Sequence, residues 1–511
     1  MTRTMTRTIS VGRAAVAGAL AVAAAFAVLP GPAARADAPP DRSLQRFTEQ
    51  NPRWEKCGHK ELDEAGARCA TIEVPLDYRD PDGRTLTLGF SRIKAKDTAH
   101  RIGLLMHNSG GPGGISLDMP LMDEPAMGEK LAARFDLIGM DPRGVGRSSP
   151  LRCRTSGHWL RSAGYDGAGF RAHARTQREL VRSCQRVYGR EVPYLRHFTT
   201  RNTARDMDVL RAVLGERKTS YFGISYGTYL GAAYARMFPS RVDRLLLDSA
   251  IDPRRWHVQA FRDPDVANEE MLGAWSAWTA RRHAEYGLGR TAAKVRATVE
   301  GIARQAAREP FRVGPYTADG QKVPLALATL LSDDREFANA AKNVRLLYDA
   351  ARGRDVEPTE DLRYAFGPPD EESDIQNSLQ LALICGDGAA PRDLSWYRRN
   401  VEESRGRAPL FGPVFNATSP CAFWPNEPVE RPVRAGNDVP GLIVQATGDP
   451  RTTYANGVGL HHAMPRSRLL TLDARVHGVY GLYGNACVDH HVNAYLATGR
   501  LPSTNPSCEK D

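Results

Sequence analysis

The stretch "YFGISYGTYLG", residues 221–231, sets Ser225 in a G-x-S-x-G frame. "TSYFG" reads as a buried strand leading into the serine, and "YGTYLGAAYARMF" as a helix leaving it, stopped by Pro239. A serine on so sharp a strand-to-helix turn exposes its hydroxyl, and the start of the helix aims backbone N–H groups and a positive dipole end at it. Glycines on either side let the backbone turn without a side-chain clash. Five letters alone prove little, so the reading depends on what surrounds them.

Outward from the serine the chain alternates. "ATIEVPLDY" and "TLTLGFSRIKA", divided by the turn "RDPDGR", are β-branched and alternating. "IGLLMH" runs into "NSGGPGG", and "FDLIGMD" into "PRGVGRSS". "TARDMDVLRAVL" (203–214) has helical spacing, and "VDRLLLDSA" follows the helix after Ser225 as another buried strand. Short apolar strands alternating with helices predict a mostly parallel sheet with helices on both faces. The rhythm stops near Asp252, turns helical and Pro-jointed over 256–430, and resumes at "PGLIVQATGD", "SRLLTLDARVHG" and the helix "HHVNAYLATG". The expected division is therefore a core of 37–255 and 431–511, interrupted by a helical cap insertion of 256–430.

A serine nucleophile needs a base, and the base needs a carboxylate to orient it and stabilise its charged form. In the α/β-hydrolase fold these follow in the order Ser, Asp or Glu, His, each on a loop after a strand. Asp449 follows "LIVQATG" and His477 follows "RLLTLDARV". The other late histidines, His461, His462, His490 and His491, fall in helical segments. An oxyanion needs two preorganised N–H donors. Tyr226 offers one, and the glycine loop after "IGLLMH" offers the other, with Gly111 the first choice and Gly110 the second. A phosphate-binding reading of those glycines fails, because neither the Walker pattern with its Lys nor GxGxxG is matched.

The 511-residue chain is 41% hydrophobic and 25% charged, ordinary for a globular protein with a large core. Its formal charge of +10 comes from dispersed arginines rather than a dense basic run, which argues against a nucleic-acid partner. Arg3, Arg7 and Arg13, the apolar run Ala14–Leu29 and the small-residue pattern Ala34-Arg35-Ala36 read as a secretory signal peptide over 1–36, with Ala38 an alternative cleavage point. The run is shorter than the ~20 residues of a spanning helix, so no membrane association is expected after cleavage. Eight cysteines agree with export. The expected disulfides join neighbours, Cys57 with Cys69, Cys153 with Cys184, Cys385 with Cys421 and Cys487 with Cys508. No C-x-x-C occurs, and neither a metal nor a cofactor is expected. Asn416-Ala417-Thr418 is an N-glycosylation sequon.

The set "NSGGPGG", "DPRGVGRSS", "GISYGTYLG", "ATGDP" and "VHGVYG" resembles the secreted tripeptidyl aminopeptidases, relatives of the proline iminopeptidases within the α/β-hydrolases. The likeness runs from "WEKCG" at Trp54 to the final cysteine, and the cysteines in "LICGD" and "PCAFWP" fit it. Ser109 departs from it, since a proline is usual before the two glycines. The resemblance implies an extracellular serine exopeptidase that releases short peptides, typically tripeptides, from free N-termini; some relatives favour proline before the cleaved bond. It also implies that insertion glutamates bind the substrate amine, for which Glu269 and Glu270, or Glu371 and Glu372, are the candidates. Asp141 and Arg143 are expected to brace the loops rather than react. The rival readings are an esterase or lipase acting on small acyl substrates, since fold and triad do not fix the leaving group, and a binding protein that has lost catalysis.

Overall fold

Residues whose apolar side chains alternate along extended runs assemble nine strands into one sheet. The computed structural model describes residues 42–510, so the expected signal peptide lies outside the described residues. In chain order the strands are β1 (Arg68–Pro75), β2 (Thr85–Ile93), β3 (Gly103–Asn108), β4 (Phe135–Met140), β5 (Thr219–Ile224), β6 (Val242–Asp248), the short hairpin β7 (Phe311–Val313) and β8 (Tyr316–Ala318), then β9 (Leu442–Ala446), β10 (Arg468–Asp473) and β11 (Ser507–Glu509). The large sheet has the order β1-β2-β4-β3-β5-β6-β9-β10-β11. Only the β1–β2 and β2–β4 pairings are antiparallel; every other pairing in it is parallel.

Side chains alternate across a strand, and here that alternation divides the core in two. Leu104, Met106, Tyr221, Leu245, Leu247 and Ile443 join one apolar cluster with Met207 and Leu210 of the helix Thr200–Val213 and Tyr229 and Ala233 of the helix Tyr226–Met237. Leu105, Phe222, Leu246 and Val444 point the other way, onto Val488, Val492 and Leu496 of the helix Ala486–Thr498. Helices cover both faces of a mostly parallel sheet, with Ser225 at the end of a central strand. This is an α/β-hydrolase fold.

Between β6 and β9 the chain is mainly helical. Helices Pro264–Ala280, Ala292–Arg308 and Phe337–Ala350 bury Leu272, Trp275, Val299 and Val344 in a core of their own. The helix Glu371–Asp387 behaves differently, placing Leu379 and Leu383 in the same cluster as the sheet. Disulfides join Cys57–Cys69, Cys153–Cys184, Cys385–Cys421 and Cys487–Cys508, leaving no free cysteine among the described residues. Asn416 is buried and its amide donates to Asp265 Oδ2, so the sequon does not present an accessible acceptor in the folded chain. Among the described residues, no helix is long and apolar enough to cross a membrane.

Arg143 and Asp206 form a fully buried ion pair (Nε–Oδ2 2.7 Å). Arg143 also donates to the carbonyls of Pro75, Leu76 and His197, and Tyr78 donates to Asp206 at 2.7 Å. A buried charge is tolerable only when its donors are satisfied in this way. The network clamps the segment after β4 onto β1 and the helix Thr200–Val213.

Candidate active site

From Thr219 to Ala235 every residue is buried except Ser225. Its φ of +58° is a conformation that non-glycine residues rarely adopt and that clusters at functional sites. The flanking glycines are there for space: a Cβ at Gly223 would lie 2.5 Å from the Gly227 carbonyl, and one at Gly227 2.7 Å from the Asn108 carbonyl. Ser225 is therefore presented by a turn that only this glycine pattern allows.

The glycine loop packs directly on the serine. A Cβ at Gly110 would approach the Ile224 carbonyl to 2.5 Å and the Ser225 Cβ to 3.0 Å. Gly110, Gly111 and Gly113 all have positive φ. The two oxyanion candidates differ in one respect: the Gly110 N–H is already donated to Asn108 Oδ1 at 3.1 Å. That corrects the expectation that Gly110 could serve as the second choice, because a donor committed to a side-chain oxygen is not free for an oxyanion. Behind the loop the buried carboxylate of Asp141 accepts the N–H groups of Ser116, Leu117 and Arg147. It is a brace, as its place in "DPRGVG" implies.

Asp449 and His477 are in contact. His477 Nδ1 lies 3.1 and 3.0 Å from the two Asp449 oxygens. The carboxylate is buried and fixed by the N–H groups of Arg451 (2.7 Å) and Thr452 (2.9 Å) on Oδ1 and by the Thr452 hydroxyl (2.8 Å) on Oδ2. With Nδ1 committed to the carboxylate, Nε2 is the nitrogen left to exchange a proton.

A residue that sequence reasoning missed ties the histidine loop to the serine turn. Asp248 ends β6; its carbonyl accepts the Ser225 N–H at 2.9 Å, and its Oδ2 accepts the N–H groups of Val479 (2.9 Å) and Tyr480 (2.7 Å). Ser249 completes the tie, donating to Asp248 Oδ1 and accepting the Gly478 N–H. Burial pushes the Asp248 carboxyl up to about 6, against the pull of those N–H groups, the Ser249 hydroxyl and His477. Its signal was present in "RLLLDSA": an acid closing an apolar strand beside the elbow. Thr452 was missed too, three residues after Asp449.

The acidic candidates separate. Glu269 is buried and consumed: it pairs with Arg296, and its Oε1 accepts the N–H groups of Leu410 (2.8 Å) and Phe411 (3.1 Å). It is a structural acid, which corrects its reading as an amine anchor. Glu270 is exposed on the same helix. Glu371 is exposed and pairs with Arg152. Glu372 accepts from Gln376 at 3.1 Å, and the Gln376 carbonyl would lie 2.9 Å from a Cβ at Gly113. Of the four, Glu372 is the one whose neighbour packs on the glycine loop.

A family model described as TAP-like protein matches residues 408–508. A tripeptidyl aminopeptidase of Streptomyces lividans is 35% identical over 472 residues, covering 89% of this chain and 86% of that one. Serine protease Hip1 of Mycobacterium tuberculosis is 30% identical over 465 residues, 87% of each chain. A Mycobacterium tuberculosis protein named Carboxylesterase B is 31% identical over 470 residues, 86% of each. The elbow, the His477–Asp449 contact and likeness of this extent lead to one conclusion: the chain belongs to the tripeptidyl aminopeptidase family of α/β-hydrolase serine peptidases.

Proposed function

We propose that this protein is an exported exopeptidase that removes short peptides, tripeptides above all, from the free N-termini of peptide substrates. The observations carrying this reading are a half-buried serine on a strained turn, the one residue of 219–235 that is not fully buried, and a histidine held by a buried carboxylate. In this mechanism Ser225 Oγ attacks the scissile carbonyl while His477 Nε2 takes its proton. Asp449 holds the Nδ1–H and stabilises the imidazolium. The amides of Tyr226 and Gly111 receive the oxyanion, His477 returns the proton to the leaving amine, and water then releases the acyl fragment. The helical segment 256–430 is the cap, set between core segments 37–255 and 431–511, with Glu372 or Glu270 meeting the substrate ammonium. Four disulfides and the signal-like residues 1–36 support export.

Mass spectrometry of products from a peptide ladder, with free and N-acetylated ends, tests this. The expected products are fragments of fixed short length from free N-termini only; cleavage indifferent to acetylation overturns the exopeptidase reading. The similarity to the protein named Carboxylesterase B favours one rival, an esterase on small acyl substrates. Hydrolysis of short-chain esters with no peptide cleavage would establish that rival.

A further inference from the structure

Two residues after Asp449, on the same turn, stands an arginine that the triad does not use. The Arg451 backbone N–H holds Asp449 Oδ1, but its guanidinium is half-buried and makes no hydrogen bond or ion pair among the described residues. Arg161 is also half-buried, and among the described residues its side chain donates only to the backbone carbonyls of His158 (2.9 Å) and Ser156 (3.4 Å). The Lys322 ammonium, beside it, donates among the described residues only to the Phe366 carbonyl at 3.2 Å. Asp319 is the carboxylate acting on both Arg161 and Lys322, and its Oδ1 already accepts two backbone N–H groups. Asp449 acts on the Arg451 guanidinium and Asp319 on that of Arg161, but only through space, with no direct carboxylate hydrogen bond to either among the described residues. Guanidinium groups held partly out of water with N–H donors unpaired are suited to an anion that arrives later.

The position of this cluster gives it a use. His158 lies within the fields of both Arg161 and Arg451; burial first, and then those two charges, push its imidazole down to about 4, so it stays neutral and adds no charge. His158 stacks on Trp159, whose Nε1–H donates to Gln380 Oε1 at 2.9 Å, and Gln380 sits beside Gly113 of the glycine loop. The cluster is thus joined to the acid turn through Arg451 and to the glycine loop through Trp159 and Gln380. Tyr364, exposed, stands within the field of Arg451.

We infer that Arg451, with Arg161, forms a specificity subsite for a carboxylate of the peptide substrate. This rests on the peptidase reading above. A guanidinium takes a carboxylate through two parallel N–H···O bonds, which a neutral amide cannot reproduce. Two sources share that chemistry, an Asp or Glu side chain near the scissile bond and the free C-terminus of a short peptide.

The test is competitive hydrolysis of matched free-amine peptides carrying Glu, Gln or Lys at each position in turn, each made as the C-terminal acid and amide. The expected result is a preference of about tenfold in kcat/KM, either for Glu over Gln at one position or for acid over amide. The first outcome identifies a side chain, the second a C-terminus. Arg451→Gln should reduce that ratio to within about twofold, while Arg451→Lys retains part of it. Because the Asp449 contact is made by backbone, a loss of rate equal for all peptides would mark a structural role and overturn the proposal. So would the absence of any such ratio in the unaltered protein. Should Arg451→Gln not fold, Arg161→Gln and a rise in salt must each shrink the ratio. If no peptide is cleaved, the peptidase reading fails by itself. Binding of a fluorescent acidic peptide against its neutral amide twin, measured on Ser225→Ala, then still decides the subsite.

Discussion

The backbone N–H of Ser225 donates to the carbonyl of Asp248, 2.9 Å away, and the same aspartate's carboxylate holds the chain just after His477. One residue therefore sets the distance between the serine turn and the histidine loop. Asp248→Ala strips the acceptor from two N–H groups and from Ser249, and should lower kcat by about a hundredfold with KM changed less than about threefold. Asp248→Asn should be far milder. Its oxygen can serve Val479 and Tyr480 while its NH2 donates to Ser249 Oγ. Steady-state kinetics on the two variants checks the contrast; equal losses would show that charge, not anchoring, is what Asp248 supplies.

Ser225→Ala and His477→Ala should each reduce turnover by several orders of magnitude without lowering thermal stability. Asp449→Asn should be nearly as severe, because the amide cannot hold the imidazole in the tautomer that leaves Nε2 free. Retention of more than about a tenth of activity in any of the three would remove that residue from the mechanism.

What could be read from the sequence was what local pattern controls. The elbow, the strand runs and the order of Asp449 and His477 are all written within about ten residues of the side chain concerned, as period-2 apolar runs closed by a turn. β11 has only three residues, "SCE", too few to show a period, and it forms because β10 offers an open edge beside the Cys487–Cys508 bridge. The hairpin β7–β8 is equally short. Glu269 failed for a different reason. Nothing near "ANEEML" reveals Leu410 and Phe411, whose amides lie more than a hundred residues downstream. The burial of the sequon's Asn416 against Asp265 is likewise a tertiary fact that the three-residue pattern does not carry.

Glu269→Gln should cost stability and leave substrate choice alone. The change breaks the buried pair with Arg296 and weakens the acceptor of two amides, a loss of about 2–4 kcal/mol. Preference for free-amine over N-acetylated peptides should be unchanged, whereas Glu372→Gln should raise KM for free-amine peptides. Denaturant melts and paired kinetics separate the two effects.

Removing the Cys385–Cys421 bridge, by Cys385→Ala with Cys421→Ala, should lower stability by about 3–4 kcal/mol from chain entropy alone, given the 36-residue separation it closes. The melting temperature of the pair variant against the parent measures it. A variant as stable as the parent would mean that packing of the helix Glu371–Asp387 onto the sheet core already restrains that segment.

Asp387 allows a pH test whose sign is fixed by burial. Its carboxylate accepts the Thr200 N–H (2.8 Å), the Thr200 hydroxyl (2.5 Å) and the Trp256 indole N–H (2.8 Å), and that same hydroxyl contacts Tyr226 Oη. Burial raises the carboxyl from 3.8 to about 6, with the three donors acting the other way. A folded-state value above the unfolded one means that the folded chain binds the proton more tightly. This contribution to stability is therefore fully present below about 4 and is lost as pH rises to about 6, by about 3 kcal/mol, with no further change above. Asp387→Asn removes the titration and keeps one oxygen. The stability of the parent relative to this variant should fall between pH 4 and 6 and then stay level, as urea melts at fixed pH values would record. A difference that is flat across that range, or that grows in the parent's favour with pH, would mean the donors outweigh burial and the carboxylate is ionised throughout.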